Sequence, residues 1–211
     1  MLSHEVLDYP AACLPYTTGK IWPAQGRWTY EDYRRLPDDG RYYQVIRGVL
    51  YVEPVRTFGH QEALGHLAYP LSRFAAEHRL GIVLLSPFDV ILPKGIATPI
   101  HPDLLLIREE DRPPPGAENL QELPGLVVEI LEPITAEFDE RVKLPAYRDA
   151  GVPEVWVVDP EGCTVVVYGW KEGQFTELER GGEGDEVGSV ALPGFRFQVG
   201  EVFRRVVNSP C

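Results

Sequence analysis

The chain has 211 residues, of which 44% are hydrophobic and 25% charged, a composition typical of one globular domain. Its 32 acidic and 20 basic residues give a net charge of −12 at pH 7, which opposes sequence-independent binding to a phosphate backbone, so any nucleic-acid site must be local. The longest apolar stretches are only strand-length, and we therefore expect no membrane span, no signal peptide and a cytoplasmic location.

The first part of the chain predicts an arm, a short helix and a hairpin. Residues 1–27 are rich in Pro and Gly without a sustained period, which predicts an N-terminal arm ahead of a domain over residues 28–211. Thr29, followed by two early acids, is typical of a helix N-cap. The pair Arg47-Gly48 lies between two apolar runs, as in a tight β-hairpin.

The remaining elements alternate between strand-length apolar runs and two helical patterns. Apolar residues recur at helical spacing over 58–79, and a second helix covers about 137–150, kinked or delayed by Pro145 and stopped by Gly151. Strands are predicted at 42–46, 49–52, 82–85, 88–92, 104–107, 126–131, 154–158 and 164–168, with a proline-rich loop at 108–122, an acidic hairpin or loop at 171–190 and a short terminal element around 195–206. This order predicts an α/β protein, a mixed sheet flanked by helices.

Two acids interrupt predicted buried strands. Asp103 precedes the run Leu-Leu-Leu-Ile, and Glu129 stands inside the run Leu-Val-Val-Glu-Ile-Leu. A carboxylate among aliphatic side chains costs several kcal/mol unless a cation, a metal or hydrogen-bond donors meet it. Lys143 follows Glu129 by 14 residues, a spacing that allows the second helix to bring the lysine back over the sheet.

Two carboxylates and a lysine suit phosphodiester hydrolysis. Carboxylates on adjacent rigid strands can hold a divalent cation against a phosphate oxygen, and a nearby lysine can orient or deprotonate the attacking water. In the alternative interpretation Asp103 caps a turn, Glu129 reaches solvent from a sheet edge and Lys143 lies on the surface. The residues alone leave both interpretations open.

Several motifs, in their order along the chain, resemble one known family. They are Tyr43-Gln44-Val45-Ile46-Arg47-Gly48, His60, Pro102-Asp103, Val128-Glu129-Ile130-Leu131, the stretch 139–143 with Tyr147, and Gly-Val-Pro-Glu-Val-Trp-Val-Val-Asp-Pro at 151–160. Together they resemble the Uma-two family of restriction endonucleases, within the PD-(D/E)XK nuclease superfamily, over roughly residues 28–205.

The resemblance implies a restriction-endonuclease-like core with one or two Mg²⁺ or Mn²⁺ ions between Asp103 and Glu129 and the carbonyl of Ile130 as a further ligand. The superfamily lysine usually stands two residues after the second acid, where this chain has Leu131. The resemblance implies that Lys143 takes that role from the following helix. The implied activity is cleavage of DNA to leave a 5′-phosphate, by a homodimer.

Gln44, His60 and Tyr147 are possible accessory residues. The family commonly has Glu where this chain has Gln44, whose carbonyl can orient water or bind a metal but adds no charge. His60 could contact a phosphate, although a solvent-facing place at a helix start is the commoner role; Tyr147 could support the site, although packing on the sheet is commoner. Glu132 is expected to be an exposed acid, and His101 a loop histidine outside the site.

Two other functions stay open. Neutral Gln44 and the net charge of −12 favour a catalytically weakened member of the same fold that binds nucleic acid or protein. Paired carboxylates also serve hydrolases of small or carbohydrate substrates, but the sequence offers no aromatic platform that we can locate for such a substrate.

Overall fold

The computed structural model describes residues 22–204; residues 1–21, which form most of the predicted arm, and residues 205–211 lie outside the described residues. The helical segments are α1 (Tyr30–Tyr33), α2 (Phe58–Glu77), α3 (Ala136–Phe138) and α4 (Leu144–Ala150). The strands are β1 (Tyr43–Ile46), β2 (Val49–Val52), β3 (Gly81–Leu85), β4 (Asp89–Leu92), β5 (Ala97–Ile100), β6 (Leu104–Arg108), β7 (Asn119–Leu120), β8 (Leu126–Ile130), β9 (Glu154–Asp159), β10 (Thr164–Lys171), β11 (Gln174–Gly181), β12 (Glu186–Gly188) and β13 (Arg196–Gln198). Within this range no helix has the length and apolar character needed to cross a bilayer.

The central element is a six-stranded sheet in the order β11-β10-β9-β8-β6-β3. Its neighbouring strands are antiparallel except β8 and β9, which are parallel. Strands β6, β8 and β9 are rich in Leu, Ile and Val and almost wholly buried, as expected for strands covered on both faces. A carboxylate in these strands is therefore removed from water whichever face it points to.

The two faces of this sheet pack against different layers. Leu104 and Val128 belong to a core cluster with residues of α2, whereas Leu105 and Val127 belong to a second cluster with residues of α4, β4 and β5. Because side chains alternate along a strand, Glu129 points to the same face as Val127. The sequence pattern therefore directs this acid toward the helix that carries the predicted lysine.

A five-stranded sheet in the order β2-β1-β5-β4-β7 covers the second face. Its first hairpin is the predicted one, and the turn residues Arg47 and Gly48 have φ of 52° and 74°, as a two-residue type I′ turn requires. The sequence pattern does not predict β5 or β7. Strand β5 contains Pro99, which cannot donate to a ladder, and β7 has only two residues and hence no period to detect.

The second predicted helix contains a π turn. Residues Asp139–Lys143 form this turn between α3 and α4, and Pro145 stands in the first turn of α4. In a regular helix Pro145 would clash with the carbonyl four residues earlier, and a wider turn removes that clash. On an α-helix the side chains of residues four apart differ by about 40° in direction around the helix axis. The wider turn offsets part of that difference. Asp139, Lys143 and Tyr147 consequently all reach one site.

Gly81→Ala is expected to destabilise the central sheet. Gly81 begins β3 with φ of 147°, and a Cβ there would lie 2.0 Å from the carbonyl oxygen of Ile107 in β6. We expect a loss of roughly 3 kcal/mol or more in the free energy of unfolding, measured by urea denaturation. Gly95→Ala is the control, because its φ is also positive, at 68°, but no heavy atom lies within 4 Å, so it should cost only about 1–2 kcal/mol. Equal losses of unfolding free energy in Gly81→Ala and Gly95→Ala would contradict the close approach of Gly81 to the Ile107 carbonyl.

Candidate active site

Asp103 and Glu129 lie beside each other at the point where β6 and β8 pair. Asp103 directly precedes β6, Glu129 lies in β8, and the register places Leu104 opposite Val128. Both acids are 1% exposed, and Asp103 Oδ2 accepts a hydrogen bond of 2.8 Å from the N–H of Ile130. The alternative placements, with Glu129 at a solvent-facing edge and Lys143 on the surface, are therefore wrong.

Asp103 is surrounded by positive and donor groups. Its Oδ1 accepts a hydrogen bond of 3.0 Å from Arg56 Nη2, and its Oδ2 lies 3.1 Å from His60 Nε2. Burial alone would raise the pKa of Asp103, but His60, Arg56 and Lys143 together lower this pKa to about 2. Asp103 is thus a carboxylate at neutral pH.

Glu129 lies in a different electrostatic environment. Its Oε2 accepts a hydrogen bond of 2.7 Å from Lys143 Nζ, and its Oε1 accepts a short hydrogen bond from the Tyr147 hydroxyl. Complete burial raises the pKa of Glu129 to about 8, because the nearby charges of Asp103 and Asp139 oppose the favourable effect of Lys143. The two neighbouring acids therefore have widely separated affinities for a proton.

Lys143 is fully buried and bridges several elements. Besides Glu129, its ammonium donates to the carbonyl oxygen of His101 at 2.8 Å and lies 3.8 Å from Asp139 Oδ1. Burial disfavours the charged form, but Glu129, Asp139 and Asp103 outweigh it and raise the pKa of Lys143 above its ordinary 10.5. Lys143 is accordingly a cation that fixes the position of Glu129.

Two further acids enlarge the site. Glu132 and Asp139 are 5% and 3% exposed. Glu132 Oε1 accepts a hydrogen bond of 2.9 Å from the N–H of Thr57, and its Oε2 lies 3.6 Å from Arg56 Nη1. Within residues 22–204, Glu132 Oε2 and both carboxylate oxygens of Asp139 lack a hydrogen-bond partner. We call the following four residues the acid cluster: Asp103, Glu129, Glu132 and Asp139.

The acid cluster has the donor chemistry of a divalent-cation site. Four acids lie beside two permanent cations in the contacts above, Arg56 and Lys143, so a bound divalent cation would balance the negative charge that the cluster carries once all four acids are deprotonated. Over the described range no three His, Cys, Asp or Glu side chains come close enough to hold a metal by themselves. Mg²⁺ commonly uses one or two carboxylates and keeps several waters, so Asp103 and Glu129 are the side chains that could supply its protein ligands.

Gln44 and His101 position the main-chain carbonyl that accepts a hydrogen bond from Lys143. Gln44 Oε1 accepts a hydrogen bond of 2.9 Å from the N–H of His101, whose own carbonyl accepts from Lys143. The His101 ring lies between the carboxylates of Glu53 and Asp89, with Nε2 2.8 Å from Asp89 Oδ1. Burial opposes a charged ring, yet the two acids raise the pKa of His101 to about 9. The Gln44 carbonyl is therefore engaged in holding the main chain.

Several expectations about side-chain surroundings are wrong. Glu132 is buried rather than exposed, and His60 is 2% exposed beside Asp103 rather than facing solvent. His101 lies in the layer that supports the site. Tyr147 packs in the core, as expected, but its hydroxyl also donates to Glu129.

The sequence analysis gives no site role to Arg56 or Asp139, although Arg56 is one of several basic residues available to a local nucleic-acid site and Asp139 begins the stretch 139–143 of the family resemblance. Arg56 lies between β2 and α2, 47 residues before the acid that it contacts, and no local pattern marks it. Asp139 had a detectable signal, because it stands four residues before Lys143 in a helix and hence on the same face.

Comparison with known proteins identifies the family of this chain. The family model of Uma2, described as "Putative restriction endonuclease", matches residues 30–200. The chain belongs to the Uma2 family. No curated protein matches it.

The fold of this Uma2 protein is also that of a solved structure. A crystal structure described as "a putative nuclease belonging to DUF820" from Anabaena variabilis ATCC 29413 superposes with a TM-score of 0.70, over 83% of this chain and 97% of that chain. The sequences are 16% identical, so this likeness shows the fold alone. The family match confirms the predicted family, and the superposition confirms the predicted mixed α/β fold.

His101→Gln is expected to reduce the pH dependence of stability of this Uma2 protein. The folded pKa of about 9 lies above the ordinary 6.5, so the folded protein holds a proton that the unfolded chain releases. The stabilisation by His101 is complete below pH 6.5 and is lost as the pH rises through about 9. Urea denaturation over this range should show a steeper loss of unfolding free energy in the wild type than in the variant. Parallel curves of unfolding free energy against pH in the two proteins would contradict a buried, charged His101 ring.

Proposed function

We propose that this protein is a Mg²⁺- or Mn²⁺-dependent DNA endonuclease that uses Asp103, Glu129 and Lys143. The observation that supports it best is the buried acid pair on adjacent strands, with a lysine 2.7 Å from the second acid. Membership of a family described as "Putative restriction endonuclease" agrees with this chemistry. A 5′-phosphate product and a homodimer belong to the proposal through the family resemblance.

Asp103 and Glu129 would hold the cation, with the carbonyl of Ile130 and water as further ligands. Ile130 already contacts Asp103 through its N–H, so its main chain lies at the site. A bound cation would polarise a phosphate oxygen and lower the pKa of a water molecule. The low pKa of Asp103 supports this role, because this acid needs no deprotonation before it binds a cation.

Arg56 controls access to Asp103 in this proposal. Its guanidinium lies 3.0 Å from Oδ1, so this oxygen becomes available only when the guanidinium moves. The planar fork that pairs with a carboxylate also matches a phosphate. We therefore assign Arg56 to the substrate phosphate once it leaves Asp103.

Lys143 orients Glu129 and offsets negative charge rather than removing a proton. Its raised pKa keeps it an ammonium, and an ammonium has no lone pair to accept a proton from water. Asp139 lines a small cavity with Gln44 and Arg56, and its oxygens have no hydrogen-bond partner among the described residues. We assign Asp139 as the group that accepts a hydrogen bond, and then the proton, from the attacking water.

A catalytically weakened nucleic-acid-binding member of the family is the second candidate. The observation in its favour is that both acids are already paired, Asp103 with Arg56 and Glu129 with Lys143 and Tyr147. A site satisfied in this way is stable without a cation. The two candidates differ in whether the protein cleaves DNA.

The first test is cleavage of supercoiled plasmid and linear DNA in Mg²⁺ or Mn²⁺. Asp103→Asn, Glu129→Gln and Lys143→Met should each reduce the rate by about 100-fold or more, because each removes a group that holds or balances charge in the transition state. Circular dichroism and thermal melting of each variant must show that the fold is retained.

Two exposed residues provide matched controls for this assay. Asp149→Asn removes a carboxylate from the same helix as Tyr147, and Lys171→Ala removes a solvent-exposed lysine at the end of β10. Both should cleave at the wild-type rate. Equal activity in all three site variants would contradict the assignment, and folded wild type without activity in either metal would favour the binding protein.

The second test measures the cation directly. Isothermal titration of Mn²⁺ should show a site in the wild type that Asp103→Asn weakens by more than about tenfold, since a ligating carboxylate contributes at least as much as its supporting partners. Thermal melting should show a stabilisation by Mn²⁺ that the variant loses. Asp149→Asn should match the wild type in both measurements. Identical binding by the wild type and Asp103→Asn would exclude Asp103 as a ligand.

A further inference from the structure

Two loops beside the acid cluster expose large apolar side chains. In the loop between β2 and α2, Val55 is 96% exposed and Phe58, the first residue of α2, is 81% exposed. In the loop between β8 and α3, Ile134 is 71% exposed. We call these three side chains the apolar rim. Exposed apolar groups gathered at one place on a surface commonly mark a binding site.

The apolar rim is attached to the acid cluster by polar contacts. Arg56 lies between Val55 and Phe58 in sequence but points inward to Asp103 at 3.0 Å. The N–H of Thr57 donates to Glu132 at 2.9 Å, and this bond joins the loop that carries Phe58 to the loop that carries Ile134. Each loop thus buries a charged side chain at the site and presents apolar neighbours to solvent. Each rim residue thus stands within two positions of Arg56, Thr57 or Glu132, which make these contacts.

The chemistry of the rim indicates whether it contacts the phosphates or the bases of a nucleic acid. The rim adds no exposed charge, and the adjacent Arg56 is only 13% exposed and paired with two acids. With a net charge of −12, the protein cannot rely on a broad basic surface to attract phosphates. An aromatic ring and two aliphatic side chains offer stacking and apolar contact to base faces instead. Base faces are accessible only where the bases are unpaired and unstacked.

We propose that the apolar rim binds unpaired nucleobases next to the phosphate at the acid cluster, so that the substrate is single-stranded DNA or a single-stranded segment of a duplex. This inference rests on the proposed nuclease function, because it names the substrate of the same site. The Arg56–Asp103 and Thr57–Glu132 contacts tie the rim to the acid cluster, so one nucleic-acid molecule could place its phosphate at the acids and its base on the rim, and for that reason we favour the nucleic acid.

The test is binding of a fluorescent single-stranded oligonucleotide of about 16 nucleotides and of its duplex, with Ca²⁺ replacing Mg²⁺. The wild type should bind the single strand more tightly than the duplex. Phe58→Ala should weaken single-strand binding by about tenfold or more, and Phe58→Trp should retain it, since stacking of one base on an aromatic ring contributes this much. Val55→Ala and Ile134→Ala should have smaller effects.

Tyr69→Ala is the matched control. Tyr69 is a 68% exposed aromatic residue on the same helix, eleven residues after Phe58 and hence about 16 Å along the axis. Its removal should leave binding unchanged. Light scattering of the Phe58→Ala and wild-type proteins, performed in parallel, measures the oligomeric state.

Four results would overturn the inference: no single-strand binding by the wild type, equal binding of single strand and duplex, wild-type affinity in Phe58→Ala, or a change of oligomeric state in Phe58→Ala that identifies the rim as a contact between copies. The proposed nuclease function is judged separately. Single-strand binding that depends on Phe58 supports the rim even when no DNA is cleaved, whereas DNA cleavage with unchanged binding in Phe58→Ala contradicts only the rim.

Discussion

The structure depends on the compensation of charge inside a sheet that excludes water. Each carboxylate of the acid cluster would cost several kcal/mol if it were buried alone, and a unit charge about 4 Å away returns roughly 4 kcal/mol at an effective dielectric of 20. The partners are distributed unequally. Asp103 has Arg56, His60 and an N–H, whereas Lys143 is the one cation in direct contact with Glu129 among residues 22–204. This difference makes one acid strongly acidic and the other a group that readily keeps its proton.

Such a division of two neighbouring acids is typical of sites in which each acid has a separate task. The contacts of the site also join distant parts of the chain. Arg56 precedes α2, Asp103 precedes β6, Lys143 ends the π turn, and Gln44 supports the lysine from β1 through His101. The two sheets are therefore joined at the site by hydrogen bonds as well as by apolar packing.

The sequence predicts those parts of the fold that depend on local rules. The hairpin at Arg47-Gly48 and the cap at Thr29 are set by residues within a few positions of each other. The burial cost of Asp103 and Glu129 marks both acids as residues that need partners, and the family resemblance adds that they lie on adjacent strands. The hairpin, the cap and the need for partners required no knowledge of the tertiary structure.

The remaining features depend on contacts that no local pattern records. Glu132 meets Thr57 across 75 positions, and His60 meets Asp103 from the opposite layer, so burial overrides the ordinary preference of both side chains for solvent. Strand β5 exists because its neighbours β1 and β4 supply pairing on both sides, which compensates for Pro99. The spacing from Glu129 marks Lys143 as a candidate, and the family resemblance gives it the role of the superfamily lysine, because the position two residues after Glu129 is a leucine.

The π turn gives the site a sensitivity to chain length. A π turn is an α-helix with one additional residue, and each residue rotates the following side chains by about 100° around the axis. One insertion or deletion within Asp139–Lys143 would turn Lys143 and Tyr147 relative to α3 or remove the width that Pro145 needs. An exposed residue of this turn such as Glu140 can be substituted, but the number of residues in the turn cannot change. The pKa of Glu129, a buried acid in a strand, consequently depends on the number of residues in the helical segment that follows it.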